Sequence, residues 1–183
     1  NNGSGQCIVS KSGEYELSID SSDKLSFIAY SGSSDAKLIL HGDGIGGSTT
    51  FTDSSPTGHT VTPNGTAQIS TARSKFGGAS CNFDGNGDYL SIPDHSDFSL
   101  GSNDFTFHFW VNQNDVGDTG YFGTRQDGNN LFLVRKQSGN LEWYIIDGGV
   151  TRVSFSAAWS PQADNWYHIA CVRNGSDFKV FIN

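Results

Sequence analysis

The sequence predicts an all-β chain folded as an antiparallel sandwich, and three observations lead there. Apolar and polar residues alternate over short stretches, most clearly in Phe105-Thr106-Phe107-His108-Phe109-Trp110-Val111. There Phe105, Phe107, Phe109 and Val111 point to one side of a strand with one strongly buried face, and Thr106, His108 and Trp110 to the other. Clusters of Gly, Asn, Asp and Ser punctuate such stretches at short, regular intervals, as in sandwiches rather than helical folds. The composition, with 23 glycines, 13% aromatic and 16% charged residues in 183, matches many tight turns around an aromatic core. No segment reads as a helix longer than a turn, and the length is that of one ordinary domain.

In chain order, residues 1–34 hold three strand-like runs, Cys7 to Val9, Tyr15 to Ile19 and Lys24 to Tyr30, followed by a Ser-rich linker. The run LSIDSSDKLSF (17–27) is weakly similar to LVRKQSGNLEW (133–143). Two readings stay open: an extra N-terminal β-hairpin packed on the main domain, or a piece of a neighbouring repeat that completes another domain by strand addition. Residues 35–183 form the main domain. Leu38-Ile39-Leu40 opens it, and Val61 and Ile69 mark two short strands separated by the turn Pro63-Asn64-Gly65. Ala79 to Phe83 is β-compatible. Asp84-Gly85-Asn86-Gly87-Asp88 is turn chemistry, because Gly and Asn accept positive φ. Tyr89, Leu90 and Ile92 resume the apolar run. After 105–111, strand-like segments recur at 121–124, 131–134, 141–146, 151–155, 166–173 and 178–182. The expected core includes Phe83, Tyr89, Leu90, Phe105, Phe107, Phe109 and Ile169. The last residues break off inside a strand pattern, so the domain is expected to be truncated at its C-terminus.

Charge and cysteine usage narrow the classes of partner. The net charge is -8 and the eleven basic residues are scattered, which argues against a phosphate backbone as ligand. No apolar run has the length to span a bilayer, so membrane insertion is not expected. Cys81 and Cys171 both fall on expected core strands, where they either pair or remain buried thiols; Cys7 is the third cysteine. The spacings do not point to zinc.

Taken together, Phe83-Asp84-Gly85, Asp88-Tyr89-Leu90, Ile92-Pro93 and Asp104-Phe105-Thr106 with Phe109-Trp110-Val111 resemble the core of the laminin-G-like branch of the concanavalin A-like jelly rolls. Leu38 to Gly44, Phe51 to Ser55, and Trp166-Tyr167-His168-Ile169-Ala170-Cys171-Val172-Arg173 extend the resemblance over about Asp35 to Asn183. It implies a two-sheet antiparallel jelly-roll sandwich, and it leaves function open because this scaffold hosts many activities.

Three kinds of chemistry are weighed. Glucanases of this fold use paired Glu residues on one strand, with carboxyls about 5 Å apart. Here Glu14 and Glu16 lie outside the resemblance and Glu142 stands alone, so no enzyme is expected. For a metal, Asp84, Asn86 and Asp88 have the one-three-five oxygen spacing of a Ca²⁺ loop, without the Glu that completes it, since position 95 is His. The alternative is an Asx-rich turn. Asp43 with Asp53 is a second Ca²⁺ expectation, which the resemblance implies. For a ligand, Tyr121, Trp143, Tyr144 and Trp159 either stack on sugar rings or fill the core, with Arg125, Asp127 and Asn129 on a loop nearby. The resulting expectation is a non-catalytic module that binds a glycan or surface glycoconjugate at an extracellular, cell or virion surface. The alternative is a structural subunit of a virion, tail fibre or filament that associates with copies of itself or with neighbouring domains.

Overall fold

A computed structural model describes residues 36–99, 101–125 and 129–183, together with the backbone but not the side chain of Arg125. The expected N-terminal hairpin, Cys7 and Asp127 lie outside the described residues. The architecture is all-β and antiparallel, of the jelly-roll class. Among the described residues, eleven strands form four sheets, and helix amounts to one 3-10 turn, Ser96–Phe98. Contacts divide the chain into two compact units, one ending at Asn114 and resuming over Trp166–Asn183, the other spanning Asp115–Asn165.

The first unit contains β1 (Thr62–Asn64), β2 (Gln68–Ser70), β3 (Ser80–Asn82), β4 (Tyr89–Ser91) and β5 (Phe105–Asn112), together with β10 (Trp166–Asn174) and β11 (Asp177–Ile182). Three of these form a sheet in the order β11-β10-β5. The two short strands expected around Pro63-Asn64-Gly65 exist but do not pair with each other: β1 pairs with β4, and β2 with β3. The β2–β3 pair organises a core of Phe51, Ala67, Ile69, Ala79, Cys81 and Phe83, with Val61 and Leu90 packed against it. Each fully buried aliphatic or aromatic side chain of this kind contributes about 2–3 kcal/mol.

Two expectations about burial are corrected. Tyr89 is not a core residue; it is 56% exposed, because β4 is a short strand whose alternation turns Leu90, not Tyr89, toward the core cluster. β5 does not have one buried face but two: Phe105, Phe107, Phe109 and Val111 are at most 1% exposed, and Thr106 and His108 on the other face are 8% and 4% exposed. That second face is covered where the 73–76 segment lies on it. The Phe76 ring meets Trp110 edge-on at 5.8 Å, Lys75 Nζ sits 4.3 Å from the Trp110 ring, and Arg73 donates to Asn112 at 2.9 Å. Cys81 and Cys171 are buried thiols and not a disulfide. Cys81 faces Ile69 across β2–β3, whereas Cys171 faces Phe107 across β5–β10.

The second unit is a four-stranded meander of β6 (Thr119–Arg125), β7 (Leu131–Gln137), β8 (Asn140–Asp147) and β9 (Val150–Ala158). Two tight turns set its register. Ser138-Gly139 and Gly148-Gly149 each have positive φ at both positions, which is the type I′ geometry whose twist matches paired strands. The first turn therefore places Gln137 opposite Asn140, Arg135 opposite Glu142 and Leu133 opposite Tyr144.

Candidate functional site

Strict alternation along β7 divides its side chains between two faces. Phe132, Val134 and Lys136 are buried, while Leu131, Leu133, Arg135 and Gln137 are half-buried on the other side. Register carries that second face across the sheet. Arg135 and Leu133 lie opposite Glu142 and Tyr144 on β8, which in turn lie opposite the exposed Ser156 and Ser154 on β9. On the β6 side their partners are Gly120 and Gly123, both exposed. Space is open where a Gly120 Cβ would be, so the β6 edge leaves the floor beside Arg135 uncovered.

The polar groups on this face hold one another. Arg135 Nε donates to Glu142 Oε2 at 2.8 Å, and the Arg135 guanidinium lies 5.4 Å from the centre of the Tyr144 ring. Such an arrangement combines charge pairing with cation–π attraction and fixes both an aromatic ring and two hydrogen-bonding groups. The face thus presents an aromatic ring, the aliphatic Leu133, a charged donor, a charged acceptor and two hydroxyls within a few residues. Glu142 is held by a cation and has Ser156 on its other side, rather than the second carboxyl that glycoside hydrolysis uses.

Of the residues expected to bind a ligand, Tyr144 lies on this open face. Tyr121 and Trp143 do not: they are 1% and 0% exposed, and a ring without an accessible face cannot stack on a sugar arriving from solvent. Tyr121 packs on Trp159 with ring centres 6.0 Å apart, and Trp143 meets Phe132 edge-on at 6.1 Å. Trp159 is likewise buried. Tyr121 sits at a register shift between Gly120 and Phe122, an irregularity that residue alternation does not announce. Asn129 lies at the opposite end of the sheet, where its carbonyl accepts from Gly149 at 2.9 Å. The structure describes Arg125 only as the strand residue opposite Leu131. Sequence reading missed Arg135, Glu142, Ser154 and Ser156. The signal was present in Ser138-Gly139, because a two-residue turn there puts Arg135 directly across from Glu142.

The Ca²⁺ expectations meet a different geometry. Asp88 Oδ2 accepts from the Asp84 N–H at 2.8 Å, Asp84 Oδ1 accepts from the Asn86 N–H at 2.7 Å, and the Thr66 hydroxyl lies 3.2 and 3.1 Å from oxygens of Asp84 and Asp88. Burial alone would raise the Asp88 pKa, but hydrogen bonds from Asp84 and Thr66 hold it below the usual value. The turn satisfies its own carboxylates, so it does not fit a Ca²⁺ cage of six to eight oxygens. Asp43 is exposed on the rim of a cleft of about 120 Å³ formed with Leu40, His41, Gly42, Phe51 and neighbouring residues. Asp53 is also engaged: its two oxygens accept from the N–H groups of Ile39, Ser55 and His59. Asp88→Ala should lower stability by about 1 kcal/mol, the worth of exposed turn hydrogen bonds, equally in Ca²⁺ and in chelator. Denaturant melts under both conditions test this; a loss seen only with Ca²⁺ present would restore the ion.

Among known proteins, the family model Laminin_G_3, described as concanavalin A-like lectin/glucanases superfamily, matches residues 84–183. No curated protein and no solved structure gives a significant match. The match covers β4 to β11 and thus the whole of the four-stranded meander as well as the β11-β10-β5 sheet. The chain belongs to the concanavalin A-like lectin/glucanase superfamily, in its laminin-G-like branch.

Proposed function

We propose that this chain is a non-catalytic carbohydrate-binding module that attaches a larger extracellular or surface protein to glycans. The observation that supports it best is the open face of the meander, where Tyr144 is braced by Arg135, and Arg135 by Glu142. Sugar rings offer apolar C–H faces to an aromatic ring and hydroxyls to charged and hydroxyl side chains, and these groups stand together here. The lectin-like family membership is consistent with this use.

A printed glycan array probed with the full chain tests the reading, followed by titration of the strongest glycan. Tyr144→Ala should weaken binding about tenfold or more, equivalent to about 1.4 kcal/mol of lost stacking and apolar contact. Trp143→Phe, which changes a buried ring, should leave affinity within about twofold if the protein stays folded. Equal affinity of wild type and Tyr144→Ala for every bound glycan would move the site elsewhere. The second reading, a structural subunit of a virion, fibre or filament, draws on β11. It lies at the end of its sheet among the described residues and exposes 53% of Phe181, a surface that a strand of a second copy could extend. An array without binding, together with concentration-dependent self-association, would favour that reading.

A further inference from the structure

Away from the meander, two segments of the first unit converge on a cluster that the expected functions do not use. His59, His95 and Asp97 each offer one ligand atom, and the three atoms lie within 4.8 Å of one another. Asp97 Oδ2 is 3.2 Å from His59 Nε2 and 3.3 Å from His95 Nδ1. Zn–N and Zn–O bonds of about 2.0–2.2 Å in a tetrahedron put neighbouring ligand atoms about 3.3–3.5 Å apart, so both spacings match ligand edges around one ion.

His95 Nδ1 accepts from the Asp97 backbone N–H at 3.2 Å, as the cap of the 3-10 turn. That long contact holds the ring with Nδ1 3.3 Å from Asp97 Oδ2, and an entering ion takes over the Nδ1 lone pair from the amide.

We propose that His59, His95 and Asp97 bind a divalent transition-metal ion of the Zn²⁺ class. Two imidazoles and one carboxylate oxygen are a borderline-soft donor set, suited to Zn²⁺, Co²⁺ or Ni²⁺ and poor for Ca²⁺ or Mg²⁺. The site is largely set in place before any ion arrives. The His59 N–H is anchored to Asp53 at 2.7 Å, and the Phe98 ring packs 4.8 Å from the His59 ring. Thr57 Oγ1 donates to Asp97 Oδ2 at 2.9 Å, which uses one lone pair of that oxygen and leaves the other for the ion. Lys37 lies 3.5 Å from Oδ1, the oxygen turned away from the imidazoles, so the carboxylate binds through Oδ2 alone. The His95 side chain is 45% exposed, which opens the fourth position to water.

The test uses the full chain, titrated calorimetrically with Zn²⁺ and, by visible absorption, with Co²⁺. One ion per chain should bind, with the d–d bands of a tetrahedral Co²⁺ site, and millimolar Ca²⁺ should not compete. His95→Ala and Asp97→Asn should each weaken Zn²⁺ binding by at least about tenfold and abolish the Co²⁺ bands, and Thr57→Val should weaken it by about tenfold. His95 is half-exposed, so His95→Ala tests the site even if Asp97→Asn fails to fold. No saturable Zn²⁺ binding, or binding that His95→Ala leaves unchanged, would overturn the proposal.

Discussion

Asp53→Ala is expected to lower the free energy of unfolding by about 3–5 kcal/mol, read from the midpoint of a denaturant melt at neutral pH. Asp53 is 8% exposed, and four donors converge on its carboxylate. Oδ1 accepts from Ile39 N at 2.8 Å and Ser55 N at 2.9 Å, while Oδ2 accepts from Ser55 Oγ and His59 N, both at 2.7 Å. The residue therefore ties the segment at Ile39 to the 53–59 loop, and Leu40 bridges to its backbone as well. Alanine leaves three N–H groups without that acceptor, and each costs about 1–3 kcal/mol where water cannot replace it. Only partial burial at Ile39 and His59 keeps the sum from reaching the upper limit. Asp53→Asn should recover part of the loss, since one amide oxygen can still accept while the amide nitrogen faces donors. A loss below about 1 kcal/mol in Asp53→Ala would refute this account of the loop.

The second large effect is a loss of stability on mild acidification, centred on His108 and His168. Nδ1 of His108 lies 3.0 Å from Nε2 of His168, across the β5–β10 ladder. Burial, and secondarily the charge of His168, push the His108 pKa down to about 3, and burial pushes that of His168 down as well. The Trp110 ring lies 5.2 Å from that of His168, and the Lys75 ammonium sits over Trp110. Both folded-state values lie below the unfolded one near 6.5, so the unfolded chain binds more protons as pH falls. Stability is then full above about pH 6.5–7 and declines as pH drops toward the folded value. For His108 alone the decline from about pH 7 to pH 5 is about 2 kcal/mol, and His168 adds to it in the same direction. Melts of wild type and of His108→Gln across this range check the sign: the variant should show a shallower slope, whatever its stability at pH 7. Parallel slopes would mean that other groups dominate.

Local pattern alone made most of the strand list legible. The 105–111 run, the WYHIACVR run and the four segments between them appear as β5, β10 and the meander, because period-two alternation and turn residues act within a few positions. Asp84 to Asp88 was legible as a turn for the same reason. Whether its oxygens serve a metal or the backbone was not, since the decision rests with Thr66, far away in sequence. The aromatic residues near the expected ligand site divided according to burial. Tyr144 and Trp143 are neighbours in sequence, yet one faces outward and the other is sealed, and only the register of β8 says which.

By itself, then, the sequence determined the class of fold, the family and the absence of a paired-carboxylate pattern, all of which follow from local periodicity, turn chemistry and residue supply. Tertiary structure alone decided the partners. β1 joins β4 and β2 joins β3 rather than each other, Cys81 and Cys171 end on different sheets, and His59 meets His95 and Asp97 from a distant segment. The physical reason is that strand pairing and side-chain clusters depend on contacts between positions far apart along the chain. Their geometry is set when the sheets form, and a motif read over a handful of residues cannot contain it.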